Sequence, residues 1–114
     1  MKELSYASDI AYRVKADFLK ALSHPLRLKI IETLKHGEQS VGSLARRLGV
    51  QQSSLSRHLT GLRDAGILRS RQERTTVFYD IHDHDIFHVL RPIAVMLRKK
   101  FRDSEKVFST LGKE

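Results

Sequence analysis

Residues 52–58 read Gln-Ser-Ser-Leu-Ser-Arg-His, a dense run of side chains that donate and accept hydrogen bonds. That chemistry suits recognition better than bond-making. Arg carries a planar donor fork that matches phosphate oxygens and guanine edges, and Gln and Ser hydrogen-bond to bases or backbone. Ser53, Ser54 and Ser56 are also nucleophile types. A nucleophilic serine needs an acid, a base and a strained elbow, and no Gly-x-Ser-x-Gly occurs in the chain, so no enzymatic activity is expected. A second cluster lies at 81–90, IHDHDIFHVL. Asp83, His84, Asp85 and His88 are metal-ligand types there, and His84 and His88 are one helical turn apart.

Charge narrows the partner. The 114 residues carry 21 Lys and Arg against 13 Asp and Glu, an excess that points to an anionic partner, either nucleic acid or a membrane surface. The excess is concentrated. Arg46, Arg47, Arg57, Arg63, Arg69, Arg71 and Arg74 face only Asp64 and Glu73 between residues 46 and 74. Every base in that stretch is Arg. A solvated basic surface would explain the charge alone, but the arginines coincide with the hydrogen-bonding run. No apolar stretch is long enough to cross a bilayer, and MKELSYASDI lacks a secretory apolar region. The expectation is a cytoplasmic protein with no membrane partner. The chain has no cysteine, which removes disulfides, thiolate sensing and Cys-ligated metal.

These side chains need elements to hold them. Ile10, Val14, Phe18 and Ala21 or Leu22 recur at helical spacing over 6–22. Pro25 then starts a second helix with Leu26, Ile30, Ile31 and Leu34 inward, ending at Gly37. A short third helix follows Ser40, with Val41, Leu44, Ala45 and Leu48 on one face and Gly49 at its end. The fourth spans 52–65, with Leu55, Leu59 and Leu62 inward and Gly66 as its exit. Residues 67–82 are rich in β-branched and aromatic types and predict a hairpin, with Arg71 to Arg74 as its turn. From Asp83 the helical period returns through Ile86, Val89 or Leu90, Ile93, Met96 or Leu97, Phe101 and Phe108, with Pro92 kinking or restarting the helix. The predicted fold is a single domain over 1–114, mainly α with a small β-hairpin, in the order α-α-α-α-β-β-α. The last helix, 84–110, has more apolar surface than one small domain covers, so pairing with a second copy is expected.

Residues 41–65 have helix-turn-helix spacing. Ala45 is small where two helices must approach, and Gly49 allows positive φ at the tight turn. With Leu44, Leu48, Val50, Leu55 and Leu59 packed inward, Gln52, Ser53, Ser54, Ser56, Arg57 and, at the margin, Thr60 face outward. Arg69, Arg71, Arg74, Thr75 and Thr76 surround the turn of the hairpin that follows. A basic hairpin directly after such a helix is a wing, able to reach the DNA backbone or minor groove. The partner expected on this ground is double-stranded DNA. A sequence-tolerant architectural protein and a winged-helix interaction module are the competing readings. A pure phosphate binder would need mostly Lys and Arg, and an interaction module would not need the arginine cluster.

Three segments carry a family resemblance: FLKALSHPLRLKIIETL at 18–34, EQSVGSLARRLGVQQSSLSRHLTGLRDAGIL at 38–68 and RQERTTVFYDI at 71–81. They are similar to the ArsR (ArsR/SmtB) family of winged helix-turn-helix repressors. The resemblance implies a homodimer held by the first and last helices, 6–22 and 84–110. It also implies binding to an imperfect inverted repeat, with repression relieved by an effector. Carried onto this chain, the recognition helix supplies Gln52, Ser53, Ser54, Ser56, Arg57 and His58, and the wing supplies Arg69, Arg71, Arg74 and Thr75. His58 either touches DNA or braces the recognition helix. The wing departs from many relatives, which have Gly near its tip where this chain has Gln-Glu-Arg-Thr.

The family's metal sites do not transfer. The soft-metal thiolate positions fall on Ser40 and Gly42, which are not ligands for such metals. For the site across the last helices, Asp85 stands where a His is needed, and the later positions are Met96 and Lys99. His84 and His88 remain as a candidate pair for a non-standard metal site or a pH response. The plainer reading has Asp83 capping the helix, His82 and His84 solvated, and His88 at the dimer seam. No cofactor is expected, and the effector is left open.

Overall fold

A computed structural model describes residues 6–102. Phe108, the end of the predicted 84–110 helix and the first five residues lie outside that range. The chain divides after His82 into two compact units.

In the first unit, helix α1 spans Tyr6–Ala21 and α2 Pro25–Thr33, extended by a 3-10 turn at Leu34–His36. Strand β1 is Gln39–Ser40, α3 is Val41–Leu48, α4 is Gln52–Asp64, β2 is Leu68–Glu73 and β3 is Thr76–Ile81. Pro25 sits in the first turn of α2, where its missing N–H is not needed. Ile30, Ile31, Leu34, Leu44, Leu55, Leu59 and Leu62 of the predicted inward faces form the core, and Leu68 and Ile81 of the sheet join them, all fully buried. Leu26, Val41 and Leu48 are only half-buried.

Helices α3 and α4 form a helix-turn-helix. Ser40 caps α3 by accepting from the Ser43 N–H at 3.0 Å, so its hydroxyl serves the fold. Gly49 takes φ +66° at the turn, and the Val50 N–H closes on the Ala45 carbonyl at 3.0 Å. Ala45 is buried, as a small residue at a helix crossing should be. α4 ends with Gly66 at φ +79° and the Ile67 N–H on the Leu62 carbonyl, which turns the chain directly into β2.

The sheet differs from the expected hairpin in two ways. It has three strands in the order β1-β3-β2, because Gln39 and Ser40 pair with Tyr79 and Phe78 on the free edge of β3. A two-residue polar strand leaves no periodic signal, and only the open edge makes it pair. Second, Arg71 to Arg74 is not the turn. β2 continues through Glu73, which faces Thr76, leaving Arg74 and Thr75 as a two-residue connection. Arg74 takes φ +58°, the left-handed region that usually favours Gly or Asn. With neither residue at the tip, the turn was not legible in the sequence.

In the second unit, α5 runs over Ile86–Lys100 with Pro92 inside it. Asp83 is not its cap. The Asp83 carboxylate accepts from the Asp85 N–H at 2.9 Å in a turn, and Asp85 is the N-cap without a side-chain bond. No helix among the described residues is long and apolar enough to cross a membrane.

Candidate nucleic-acid interface

α4 has two faces set by its leucines. Leu55, Leu59 and Leu62 point into the core, and Gln52, Ser53, Ser54, Ser56 and Arg57 are exposed on the other side. Thr60 is half-buried. This exposed face offers donors and acceptors in several geometries, as groove readout requires. Arg46 and Arg47, in the last turn of α3, are exposed as well.

His58 is placed differently. It is half-buried, its Nδ1 accepts from Arg27 Nε at 3.1 Å, and its ring lies 5.2 Å from that of His24. It leans on α2 rather than standing among the exposed polar residues. Burial first, then the nearby Arg27, His24 and Arg57, push its pKa below the ordinary value.

The wing arginines separate into two groups. Arg71 grips the Glu38 carboxylate with both arms, at 2.8 and 2.7 Å, donates to Glu73 at 2.9 Å, and stacks 4.4 Å over the Phe78 ring. Hydrogen bonding from Arg71 holds the Glu38 carboxyl below the usual carboxylate range. Arg69 meets Asp80 at 3.2 Å. Their charge is largely compensated, which a count of arginines does not reveal. Arg74 has no carboxylate partner among the described residues and sits exposed with Thr75 at the tip. Sequence reasoning missed Glu38, Asp80, Arg27 and Gly61 as parts of this region. Gly61 did carry a signal, since glycine inside a helix weakens it and asks for a packing reason.

The histidine cluster of the second unit stays local. The His84 ring lies 6.0 Å from Phe87, and His88 is exposed with Nδ1 3.6 Å from Asp85. Among the described residues, no three His, Cys, Asp or Glu side chains converge as a metal site.

Residues 22–71 match a helix-turn-helix domain family. The chain is 34% identical over 105 residues to the HTH-type transcriptional regulator Rv0081 of Mycobacterium tuberculosis, covering 91% of this chain and 92% of that one. It is 45% identical over 64 residues to the biofilm growth-associated repressor of Xylella fastidiosa, 56% of each chain. A solution structure of Mb0332 from Mycobacterium bovis superposes with a TM-score of 0.75 at 25% identity, covering 90% of this chain and 95% of that one. That protein is described as a homodimeric winged helix-turn-helix DNA-binding domain and a possible ArsR-family transcriptional regulator.

Proposed function

This chain belongs to the ArsR-type winged helix-turn-helix transcriptional regulators, and we propose from that premise that it is a homodimeric repressor binding an inverted repeat in double-stranded DNA. The observation that carries the reading is the division of α4: buried leucines fix the helix, and five exposed polar residues are left to enter a major groove. The whole of 1–114 serves as one DNA-binding module. Arg57 reads a base or a phosphate beside Gln52, Ser53, Ser54 and Ser56. His58 acts from behind the contact face, Arg74 and Thr75 meet the backbone from the wing tip, and Arg69 and Arg71 chiefly hold the wing in shape.

Two apolar stripes support a second copy as partner. α1 buries no residue of its own, and Tyr6, Ile10 and Val14, spaced four residues apart, are all exposed. α5 leaves Val89, Ile93 and Met96 exposed at i, i+4 and i+7. Each stripe is a face that water disfavours and a twofold-related copy would cover. A repressor regulates rather than transforms its ligand, and no enzymatic step is assigned to the chain.

Selection from a pool of random duplexes at near-physiological salt tests the reading. Enrichment of one inverted repeat supports it. Uniform recovery would instead indicate an architectural protein, and no recovery an interaction module. On the enriched sequence, Arg57→Ala should cost about 1–3 kcal/mol while barely changing affinity for random DNA. Equal losses on both would reduce Arg57 to a phosphate contact. Arg74→Gly should relieve a left-handed residue worth about 1–2 kcal/mol, offset by about 0.5–1 kcal/mol of glycine entropy. Its melting temperature should therefore hold or rise, while the slope of log affinity against log salt shrinks by about one. A lowered melting temperature would show that Arg74 has folding contacts.

A further inference from the structure

We propose that Arg27 is a positioning residue for the recognition helix: its guanidinium ties the carbonyl end of α1 to α4 through a neutral His58 and fills the space left open by Gly61. The proposal rests on α4 being the helix that reads DNA.

Three contacts define the tie. Arg27 Nη1 donates to the Ala21 carbonyl at 3.0 Å, and Nε donates to His58 Nδ1 at 3.1 Å. The guanidinium lies so close to Gly61 that a Cβ built there would stand 2.6 Å from Nη2 and 2.9 Å from Cζ. Helix α4 therefore tolerates an interior glycine, a weak helix former, in order to admit the cation. The leucines hold one flank of α4, and Arg27 holds another. Both flanks must be fixed to set the rotation of the exposed face about the helix axis.

The chemistry of the tie makes it sensitive to acid. Arginine has only donors, so Nδ1 of His58 must accept, and its proton resides on Nε2. A protonated imidazole has no acceptor left and would place a second cation against the first. The groups facing His58 are Arg27 and His24 from the α2 side, Arg57 on its own helix, and the neutral Ala21 carbonyl at the end of α1 beyond Arg27. All the titratable groups among them favour the neutral ring, as does burial. The folded state thus holds fewer protons than the unfolded one. This contribution to stability is complete above the unfolded value of 6.5 and is lost as pH falls through it toward the lower folded value.

The full chain is titrated against the enriched duplex and a scrambled one from about pH 7.5 downward in steps until the fold itself is lost. For the wild type, the ratio of the two affinities should fall about tenfold on acidification, the effect of one lost base contact. His58→Asn places a non-titrating amide oxygen near Nδ1 and should flatten this dependence. Arg27→Lys keeps the charge but cannot bridge, and should lower the ratio about tenfold already at neutral pH. Gly61→Ala provides a variant that favours the helix yet displaces the guanidinium, and it should reproduce Arg27→Lys. In an Arg27→Ala background the same alanine should have no effect on the ratio. A pH-independent wild-type ratio, with Arg27→Lys and Gly61→Ala at the wild-type value, overturns the proposal and leaves the DNA reading standing. A wild type that enriches no duplex overturns both.

Discussion

Leu59→Ala should lose about 2–5 kcal/mol of folding free energy, out of a total for such domains of about 5–15 kcal/mol. Leu59 is 1% exposed, and it lies between Leu55 and Leu62 on the core face of α4. Truncation removes the transfer energy of its methyl groups and leaves a cavity where α4 rests on the other helices. Specific DNA binding should collapse with the fold. Chemical denaturation at fixed protein concentration is the check, because a dimer's stability depends on that concentration. Arg57→Ala is the control two residues away. It should leave the denaturation midpoint in place while losing sequence preference. If both substitutions moved the midpoint equally, the division of α4 into a folding face and a reading face would be wrong.

The second large effect concerns the apolar stripes. Val14→Glu should convert the dimer to a monomer and lower affinity for the inverted repeat by about 10²–10⁴-fold, since each half-site must then be bound without the other's help. Val14 is 61% exposed in the single chain, so a carboxylate there is solvated in the monomer and buried only in the dimer. Met96→Glu makes the same test on α5, where Met96 is 62% exposed. Leu97 is half-buried within the chain, so a charge there would mix folding with assembly. Sedimentation velocity reads the result. A Val14→Glu chain that remains dimeric would remove the α1 stripe from the interface.

These two substitutions also mark how far the sequence alone reached. Leu55, Leu59 and Leu62 repeat at helical spacing, and a 3.6-residue period dictates that Gln52, Ser53, Ser56 and Arg57 lie away from them. Gly49 and Gly66 could be placed at turns because positive φ is cheap only for glycine. Local rules therefore suffice for the helix-turn-helix and its outward face. The apolar stripes of α1 and α5 were legible for the same reason, but periodicity pointed to an uncovered surface only on the last helix, and α1 entered the pairing through the family resemblance alone.

The tertiary structure decided which charged groups are available. Arg69, Arg71 and Arg74 look equivalent in the sequence. Register sets Arg71 opposite Phe78, and the pairing of β1 with β3 places Ser40 opposite the same Phe78 and so brings Glu38 within reach of Arg71. Arg69 falls opposite Asp80 by the same register. Only Arg74, lifted onto the two-residue turn, escapes a carboxylate among the described residues. His58 follows the same logic, since its partner Arg27 belongs to a different helix, far away in the chain. Periodicity is a property of neighbours along the backbone and can be read from order alone. The partner of an ionic or hydrogen-bonding side chain is set by how separate elements come together, and nothing local encodes that distance.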